Sequence, residues 1–299
     1  MKKCIYALDA GGSFLKCGLV DAEAMEVIDG THDSEAVNST GGSPAAIRAA
    51  YSNLAARALA RAASLGYEIA AVGMDTPGPF EYKTGTFRMR HKYTALYGVS
   101  VLPWFAEDLP GRPVHIIHDS SAFMLGASRT LPAEQRAGGA IAAVMLGTGL
   151  GFAIMRDGTP LTNDEGGPRV SIYRAPLRGV EAEELISARG ITNRYAAAAG
   201  IVGSHPDAKT IARLAREGDR AAMDVYADTG RLLGELLSPI TREYDIHTLL
   251  LGGQISRDAP LFSGELRAAL PGVDITSAAS LDDAHLVGVA MSFEANLGI

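Results

Sequence analysis

Residues 4–20 read CIYALDAGGSFLKCGLV, two short apolar runs on either side of the glycine-rich turn DAGGS. Apolar runs of this length around a glycine turn are typical of a β-hairpin, so strands are predicted at 4–8 and 14–20. A third strand near 25–28 would complete a meander. The amino-terminal part of the chain is therefore expected to open with an antiparallel sheet.

The rest of the chain alternates strands with helices. Ser43 and Pro44 suit the N-cap and first position of an alanine-rich helix that ends near Leu65. Further strands are predicted at 69–74, 114–117, 140–146, 150–155 and 248–251. Helices are predicted within 181–247 and at 284–296, and Asp119-Ser120-Ser121 is predicted to cap a further helix. The strands at 140–155 flank GTG and repeat the opening hairpin, which indicates a duplicated α/β architecture.

Composition excludes several classes of protein. The chain has 299 residues, a formal charge of −7 and a pI near 5.5, without the clustered Lys and Arg that nucleic-acid binding requires. Its two cysteines, Cys4 and Cys17, lie in apolar runs and are expected to be reduced thiols in the cytoplasm. The uncharged stretch 137–155 contains a glycine turn and is interpreted as strand, turn, strand. No membrane segment is therefore predicted.

The first turn has the chemistry of a phosphate site. Gly11 and Gly12 expose backbone amides without a Cβ in the way, Ser13 adds a hydroxyl and Lys16 a positive charge. Asp9, at the end of a strand, would suit hydrated Mg²⁺ beside that phosphate. A plain hairpin with a glycine turn explains the same residues, and both interpretations stay open at this point.

Two further glycine corners follow predicted strands. They are Gly147-Thr148-Gly149-Leu150-Gly151 and Gly252-Gly253. In open α/β sheets ligands bind at the carboxyl ends of strands, where such corners lie. A P-loop is excluded, because GxxxxGK[ST] does not occur.

The order of five motifs resembles one family. DAGGSFLKCGLV, GMDTPGPFEYKTGTF, HDSSAFMLGA, MLGTGLGFAI and LLLGGQIS follow one another along the chain as they do in the ROK family of sugar kinases and repressors. The resemblance also covers AREGDRAAMDVYADTGRLLGELLS. It implies a two-domain actin-like ATPase (ribonuclease H-like) fold with an inter-domain cleft. The smaller domain is expected at 1–118 plus 284–299 and the larger at 119–283.

The resemblance implies an ATP-dependent kinase that acts on a hydroxyl of a hexose or hexose derivative. The family's Asn-Asp pair matches His118-Asp119, which makes Asp119 the expected catalytic base, although an Asp here is also a common helix N-cap. Nucleotide and Mg²⁺ are expected at the residues that match the family's phosphate and nucleotide motifs, namely Asp9, Gly11, Gly12, Ser13, Lys16, Gly147, Thr148, Gly149, Gly151, Gly252 and Gly253. Sugar contacts are expected at Gly78, His118, Asp119, Glu165 and Glu183.

Some residues depart from the family pattern. Glu165 fits the motif Glu-x-Gly-His, but Pro168 stands where the His would be, and the zinc-binding cysteines that usually follow are missing. A branch without the structural zinc is therefore expected. Glu183 is matched by counting back from SARGITNRY, and Glu181 and Glu184 beside it are the alternative positions. Lys92 suits an acidic or phosphorylated sugar if it faces the substrate, and otherwise points to water.

Two other functions compete with the kinase. A non-catalytic sugar- or nucleotide-binding homologue would fit the replacement of Asn by His118 and of His by Pro168. A repressor is disfavoured, because the first strand is expected at Cys4 and no DNA-binding module precedes it. The motifs do not identify the sugar, the hydroxyl or the phosphoryl donor, and a homodimer is expected by family analogy alone.

Overall fold

The computed structural model describes residues 1–278 and 283–297, without the side chains of Ala137 and of residues 294–297. The chain forms two compact units. Unit 1 comprises Met1–Arg129, Thr162–Pro168 and Asp283–Ile299, and unit 2 comprises Thr130–Leu161 and Arg169–Asp282. The domain boundaries after residue 118 and before residue 284 stay a prediction, since compact units do not show which segments fold independently.

Unit 1 is built on a five-stranded sheet with the order β3-β2-β1-β4-β7. Strands β1, β2 and β3 are antiparallel neighbours, whereas β4 and β7 run parallel to β1. The strands are β1 (Lys2–Ala10), β2 (Phe14–Asp21), β3 (Asp33–Ala36), β4 (Tyr67–Thr76), β5 (Phe80–Glu81), β6 (Thr86–Phe87) and β7 (Val114–His118). The helices are α1 (Pro44–Ser64), α2 (Leu102–Asp108), α3 (Asp119–Ser128) and α10 (Ala284–Leu297), with a 3₁₀ turn at Thr94–Leu96.

Alternation along the strands separates the two faces of this sheet. Tyr6, Leu8 and Met74 join the buried core that α1 supplies with Tyr51 and Leu54. The intervening residues of β1 and β4 face α10. At Gly73 a Cβ would overlap the side chain of Val289, so glycine lets this helix approach the sheet closely.

Helices α3 and α10 also pack backbone against backbone. A Cβ on Gly126 would overlap the carbonyl of Ala284, and a Cβ on Gly288 would overlap the carbonyl of Ala122. This double close approach fixes where α10 begins relative to the end of β7. It therefore positions the first residues of both helices.

Unit 2 repeats the sheet order, as β10-β9-β8-β13-β14, with an antiparallel hairpin followed by parallel strands. Its strands are β8 (Ala140–Leu146), β9 (Leu150–Arg156), β10 (Thr159–Pro160), β11 (Pro176–Leu177), β12 (Val180–Glu181), β13 (Ile246–Gly252) and β14 (Asp274–Ser277). Its helices are α4 (Ala133–Ala137), α5 (Ala182–Ile186), α6 (Ala188–Ala199), α7 (Ala208–Arg216), α8 (Arg220–Glu243) and α9 (Ser263–Ala269), with a 3₁₀ segment at Gln254–Leu261.

Both predicted hairpins, the helix that starts at Pro44 and the final helix are confirmed. Two local predictions are wrong. The third strand lies at Asp33–Ala36 instead of 25–28, because the chain turns tightly there, with Met25 at φ 53°, and Val27 makes only an isolated bridge. The cap of α3 is His118, because Asp119 already belongs to the helix. Among the described residues, no helix combines the length and apolarity needed to cross a membrane.

The packing of α10 on α3 yields a stability prediction. Gly288→Ala should lower the free energy of unfolding by about 2–3 kcal/mol, because the new methyl group meets rigid backbone instead of a movable side chain. Urea denaturation followed by circular dichroism measures this change.

Gly264→Ala is the matched control. Gly264 lies in α9 and a Cβ there has no atom within 4 Å, so the variant should be as stable as the wild type or up to about 1 kcal/mol more stable. Equal stability of both variants would contradict the close approach of α10 and α3.

Candidate active site

Three neighbouring strands of unit 1 have an acidic residue next to their carboxyl-terminal residue. In the parallel register Asp9 of β1 is the partner of Asp75 of β4, and Thr76 is the partner of His118, which Asp119 follows. Register partners in a parallel sheet project to the same face, so Asp9 and Asp75 stand side by side. Lys16 pairs with Asp9 across the hairpin, and its side chain is exposed.

His118 and Asp119 form a tight polar group at the start of α3. Nδ1 of His118 lies 2.8 Å from Oδ1 of Asp119, 2.8 Å from Oγ of Ser120 and 3.1 Å from the amide nitrogen of Ser120. A carboxylate has no hydrogen to offer, so a hydrogen on Nδ1 is best donated to Asp119. The Ser120 amide then donates to the same carboxylate at 2.6 Å.

These donors keep Asp119 ionised. Burial raises the pKa of Asp119, but the charge and hydrogen bond of His118, together with the Ser120 amide, outweigh burial and hold the pKa at about 2. The side chain of Asp119 is 30% exposed. An ionised carboxylate that a solute can reach is therefore available throughout the neutral pH range.

The ring of His118 is enclosed by residues of unit 1. A Cβ on Gly78 would lie 3.6 Å from Nε2 of His118, and the ring of Tyr82 is 5.8 Å from that of His118 between centroids. The hydroxyl of Tyr82 donates to the carbonyl of Thr76 at 3.1 Å, which fixes the Tyr82 ring. Gly78 and His118 thus lie next to each other, as their joint prediction as sugar contacts requires.

The segment 162–168 is anchored to Tyr82. The amide of Tyr82 donates to the carbonyl of Glu165 at 3.0 Å, and the side-chain oxygen of Asn163 accepts from the amides of Glu165 and Gly167 at 3.0 Å each. Pro168 closes the segment by a bridge to Thr162. Asn163 therefore organises this turn by hydrogen bonds, and the side chain of Glu165 is exposed.

The turn 11–13 presents free backbone donors. Each of its three carbonyl oxygens accepts a hydrogen bond. The hydroxyl of Tyr93 donates to the carbonyl of Gly11 at 2.6 Å. The amide of Ser39 donates to the carbonyl of Gly12 at 3.3 Å, and the amide of Val37 donates to the carbonyl of Ser13 at 2.9 Å. Within residues 1–278 and 283–297, no acceptor is found for the amides of 11–13. A turn fixed through its carbonyls with unused N–H groups fits an anion such as phosphate.

A cavity of about 360 Å³ adjoins this turn. It is lined by Gly12, Ser13, Val37, Asn38, Ser39, Thr40, His91 and Lys92. A Cβ on Gly12 would lie 3.2 Å from Cε of Lys92, so the half-buried lysine runs across the turn. The cavity therefore combines hydroxyl groups with a cation, a composition that suits an anionic group.

Asp75 and His285 are functional candidates that the sequence motifs did not single out. Asp75 is fully buried, its Oδ2 is 3.3 Å from Nδ1 of His285, and its Oδ1 has no hydrogen-bond partner in the described structure. Burial and then Asp9 raise the pKa of Asp75 to about 8. Burial lowers the pKa of His285, but Asp75, Asp9 and Asp119 together raise it to about 9.

The sequence around Asp75 and His285 contains features that are compatible with a functional role and with a structural one. Asp75 interrupts the apolar strand AAVGMDT, and His285 is a lone histidine in the apolar segment AHLVGVAM. Each is also compatible with an ordinary structural role. Only the register of β1 with β4 and the packing of α10 bring the two together.

Unit 2 carries the second glycine turn. The amide of Gly147 donates to the carbonyl of Gly149 at 3.1 Å, and the amide of Leu150 donates to Oε2 of Glu183 at 3.0 Å. The amides of Thr148 and Gly149 have no acceptor among the residues that the structure describes. One oxygen of Glu183 therefore supports the turn, so the residue predicted as a sugar ligand also has a structural contact.

Gly252 and Gly253 lie at the carboxyl end of β13 in the same unit. Gly253 has φ +81°, and a Cβ there would overlap the carbonyl of Leu146 at the end of β8. The hydroxyl of Ser256 donates to the carbonyl of Gly252 at 2.5 Å. In unit 2 the residues 147–151 thus lie where β8 turns into β9, and Gly252 and Gly253 lie at the end of β13, the other neighbour of β8.

Comparison with solved structures identifies the fold. The chain is 22% identical to a ROK family glucokinase from Streptomyces griseus solved with glucose and AMPPNP, with 96% of this chain and 98% of that chain covered and a TM-score of 0.70. A ROK family transcriptional regulator described as a homolog of the E. coli MLC protein gives a TM-score of 0.79 at 17% identity, covering 97% and 78%. The fold is therefore the predicted two-domain actin-like ATPase fold.

The family resemblance is confirmed as well. Residues 177–294 match the model described as "ROK family". A glucokinase from Thermotoga maritima is 24% identical over 98% of this chain and 98% of its own length. The chain is thus similar to the ROK family over residues 177–294 and to a glucokinase over nearly its whole length.

The buried Asp75–His285 pair predicts an unusual dependence of stability on pH. Both groups have raised pKa values, so the folded protein binds more protons than the unfolded chain between pH 6.5 and 8. The free energy of unfolding should therefore fall as pH rises, by on the order of 1 kcal/mol per pH unit. Urea titrations in buffer with a chelator at several pH values measure this slope.

Asp75→Asn should flatten the slope, since it removes one titrating group and the main cause of the raised pKa of the other. Asp29→Asn, at an exposed position of unit 1, should retain it. A flat profile in the wild type, or the same slope in both variants, would show that the buried pair does not bind the additional protons.

Proposed function

We propose that the protein is an ATP-dependent sugar kinase that transfers the γ-phosphoryl group to a hydroxyl of a hexose or hexose derivative, with Asp119 as general base. The observation that carries the proposal is the ionised carboxylate of Asp119, which follows a strand of the unit 1 sheet. In the same sheet, the turn of residues 11–13 presents backbone amides that have no acceptor among the described residues. The homology to sugar kinases supports the same reaction.

Asp119 suits an acceptor that is an alcohol. A sugar hydroxyl becomes a better nucleophile when a carboxylate accepts its proton. In a loose phosphoryl-transfer transition state, this proton leaves late, so the base serves mainly by orienting the hydroxyl and then taking the proton. A carboxylate with a pKa of about 2 remains ready for this role at every neutral pH.

The donors of the turn 11–13 would hold phosphate oxygens of the nucleotide. Lys16 and, in unit 2, the amides of Thr148 and Gly149 are proposed for the same purpose, with Gly252 and Gly253 on the nucleotide side. Asp9 would hold Mg²⁺ through water, and the ion would neutralise charge on the phosphates. Fixed amides need no reorganisation as negative charge moves, which is why such turns favour phosphoryl transfer.

The sugar is proposed to contact Gly78, His118, Asp119 and Glu165 in unit 1. Gly78 and His118 are adjacent, and the backbone of Glu165 is attached to Tyr82, which packs beside His118. Glu183 is proposed as a further ligand through the carboxylate oxygen that does not accept from Leu150. Lys92 gives reason to include uronic acids and hexose phosphates beside neutral hexoses in the substrate panel.

Asp119→Asn tests the proposed base. The variant should lose about two to four orders of magnitude in kcat, because an amide cannot accept the proton. ATP affinity and thermal stability should stay close to those of the wild type, because the side chain keeps its shape. ADP release, measured by a coupled assay across the sugar panel, gives the rates, and calorimetry gives the affinity.

Asp29→Asn is the control and should retain full activity, because this exposed residue lies outside the candidate site. Near-normal turnover of Asp119→Asn would disprove the assignment of the base. A wild-type protein that is stabilised by sugars or nucleotide but releases no ADP would instead be a non-catalytic binding protein.

A further inference from the structure

Asp9, Asp75 and His285 converge inside unit 1. Each offers one ligand atom, and the three atoms lie within 4.8 Å of one another. The three side chains come from β1, β4 and α10, so long-range packing rather than a local turn brings them together. They form a cluster of two carboxylates and one imidazole, with Asp75 at its buried centre.

A simple ion pair does not account for this cluster. Pairing with His285 involves Oδ2 of Asp75 but leaves Oδ1 buried without a partner among the described residues. A buried carboxylate oxygen without a hydrogen-bond partner destabilises the folded state, because its lost hydration is not replaced. Asp9 and Asp119 add negative charge next to the same site. Asp119 is already paired with His118, so within the cluster the single imidazole of His285 faces the two carboxyl groups of Asp9 and Asp75.

The distances also suit an ion better than a direct hydrogen bond. A charge-assisted N–H···O contact is normally about 2.7–2.9 Å, whereas Nδ1 of His285 and Oδ2 of Asp75 are 3.3 Å apart. Two ligands that each lie about 2.1 Å from one ion at tetrahedral or octahedral angles are about 3.0–3.4 Å apart. Ligands on opposite sides of such an ion are about 4.2 Å apart, so small side-chain adjustments are sufficient.

We propose that Asp9, Asp75 and His285 form a site for a divalent transition-metal ion, which binds in the absence of nucleotide and sugar. A carboxylate oxygen of Asp75 and a ring nitrogen of His285 supply the ligands that distinguish this site from a hydrated Mg²⁺ site at Asp9 alone. The proposal does not rest on kinase activity, because it concerns the free protein.

The ligand set determines the preferred metal. Imidazole nitrogen suits Zn²⁺ and the later first-row ions, the carboxylates also suit Mn²⁺, and Mg²⁺ prefers oxygen ligands and keeps most of its water. At a mixed nitrogen and oxygen site the affinity should follow the order Zn²⁺, Co²⁺, Mn²⁺, with Mg²⁺ weakest. A site with two carboxylates and one imidazole in a partly buried setting also leaves positions open for water or a further ligand.

Calorimetric titration of the chelator-treated full chain with ZnCl₂, MnCl₂ and MgCl₂, without nucleotide, tests the site. One ion of Zn²⁺ or Mn²⁺ should bind per chain, and Mg²⁺ should bind at least about tenfold more weakly. Asp75→Asn and His285→Gln should each weaken Zn²⁺ and Mn²⁺ binding by at least about tenfold. Circular dichroism confirms that the variants are folded.

Co²⁺ provides a spectroscopic measurement that is independent of the calorimetry. The wild type with one equivalent of CoCl₂ should show the visible absorption of Co²⁺ in a mixed nitrogen and oxygen environment, instead of the weak spectrum of the hydrated ion. His285→Gln should lose this absorption.

His32→Gln is the matched control. Nε2 of His32 lies 2.6 Å from Oδ1 of Asp283 at an exposed position, so this pair resembles Asp75–His285 in chemistry but not in burial. The control should bind metal like the wild type. The proposal is overturned if no nucleotide-free binding occurs, if Mg²⁺ binds as tightly as Zn²⁺, or if His285→Gln and Asp75→Asn bind as well as the control.

Discussion

The chemistry of unit 1 depends on the close packing of α10 against the parallel part of its sheet and against α3. Gly73, Gly126 and Gly288 remove the methyl groups that would hold the helix away. As a result, the first turn of α10 reaches the strand ends where Asp9 and Asp75 lie side by side. A bulkier contact would displace His285 and leave Asp75 buried among other carboxylates without any compensating group.

The two faces of this sheet have different roles because of the alternation of side chains along each strand. Tyr6, Leu8 and Met74 project to the α1 face and supply burial energy. Asp9 and Asp75 project to the α10 face, where the same strands carry polar chemistry. An apolar core on one face can therefore support buried charges on the other, since burial of large apolar side chains contributes about 1.5–3 kcal/mol each.

The sequence predicts well those features that local chemistry determines. The hairpins around the glycine turns, the helix that starts at Pro44 and the order of the motifs required only neighbouring residues. Features that depend on long-range register were missed. Nothing near Asp75 indicates that it pairs with Asp9, and nothing near His285 indicates that α10 returns to that strand end. The third strand was misplaced for the same kind of reason, since β3 is selected by pairing with β2 rather than by its own composition DSEA.

The buried carboxyl group of Asp75 lowers the stability of the fold and therefore points to a functional role. Nothing in the packing of β4 requires a carboxylate, because a neutral side chain of the same shape would fill the space. A fold that retains a fully buried acid with one unpaired oxygen gives up free energy, and such sites are concentrated where a proton or a cation must be held. Protons and metal ions compete for the same lone pairs. The arrangement that makes Asp75 and His285 bind protons in the free protein is therefore also the arrangement that would make them bind a cation.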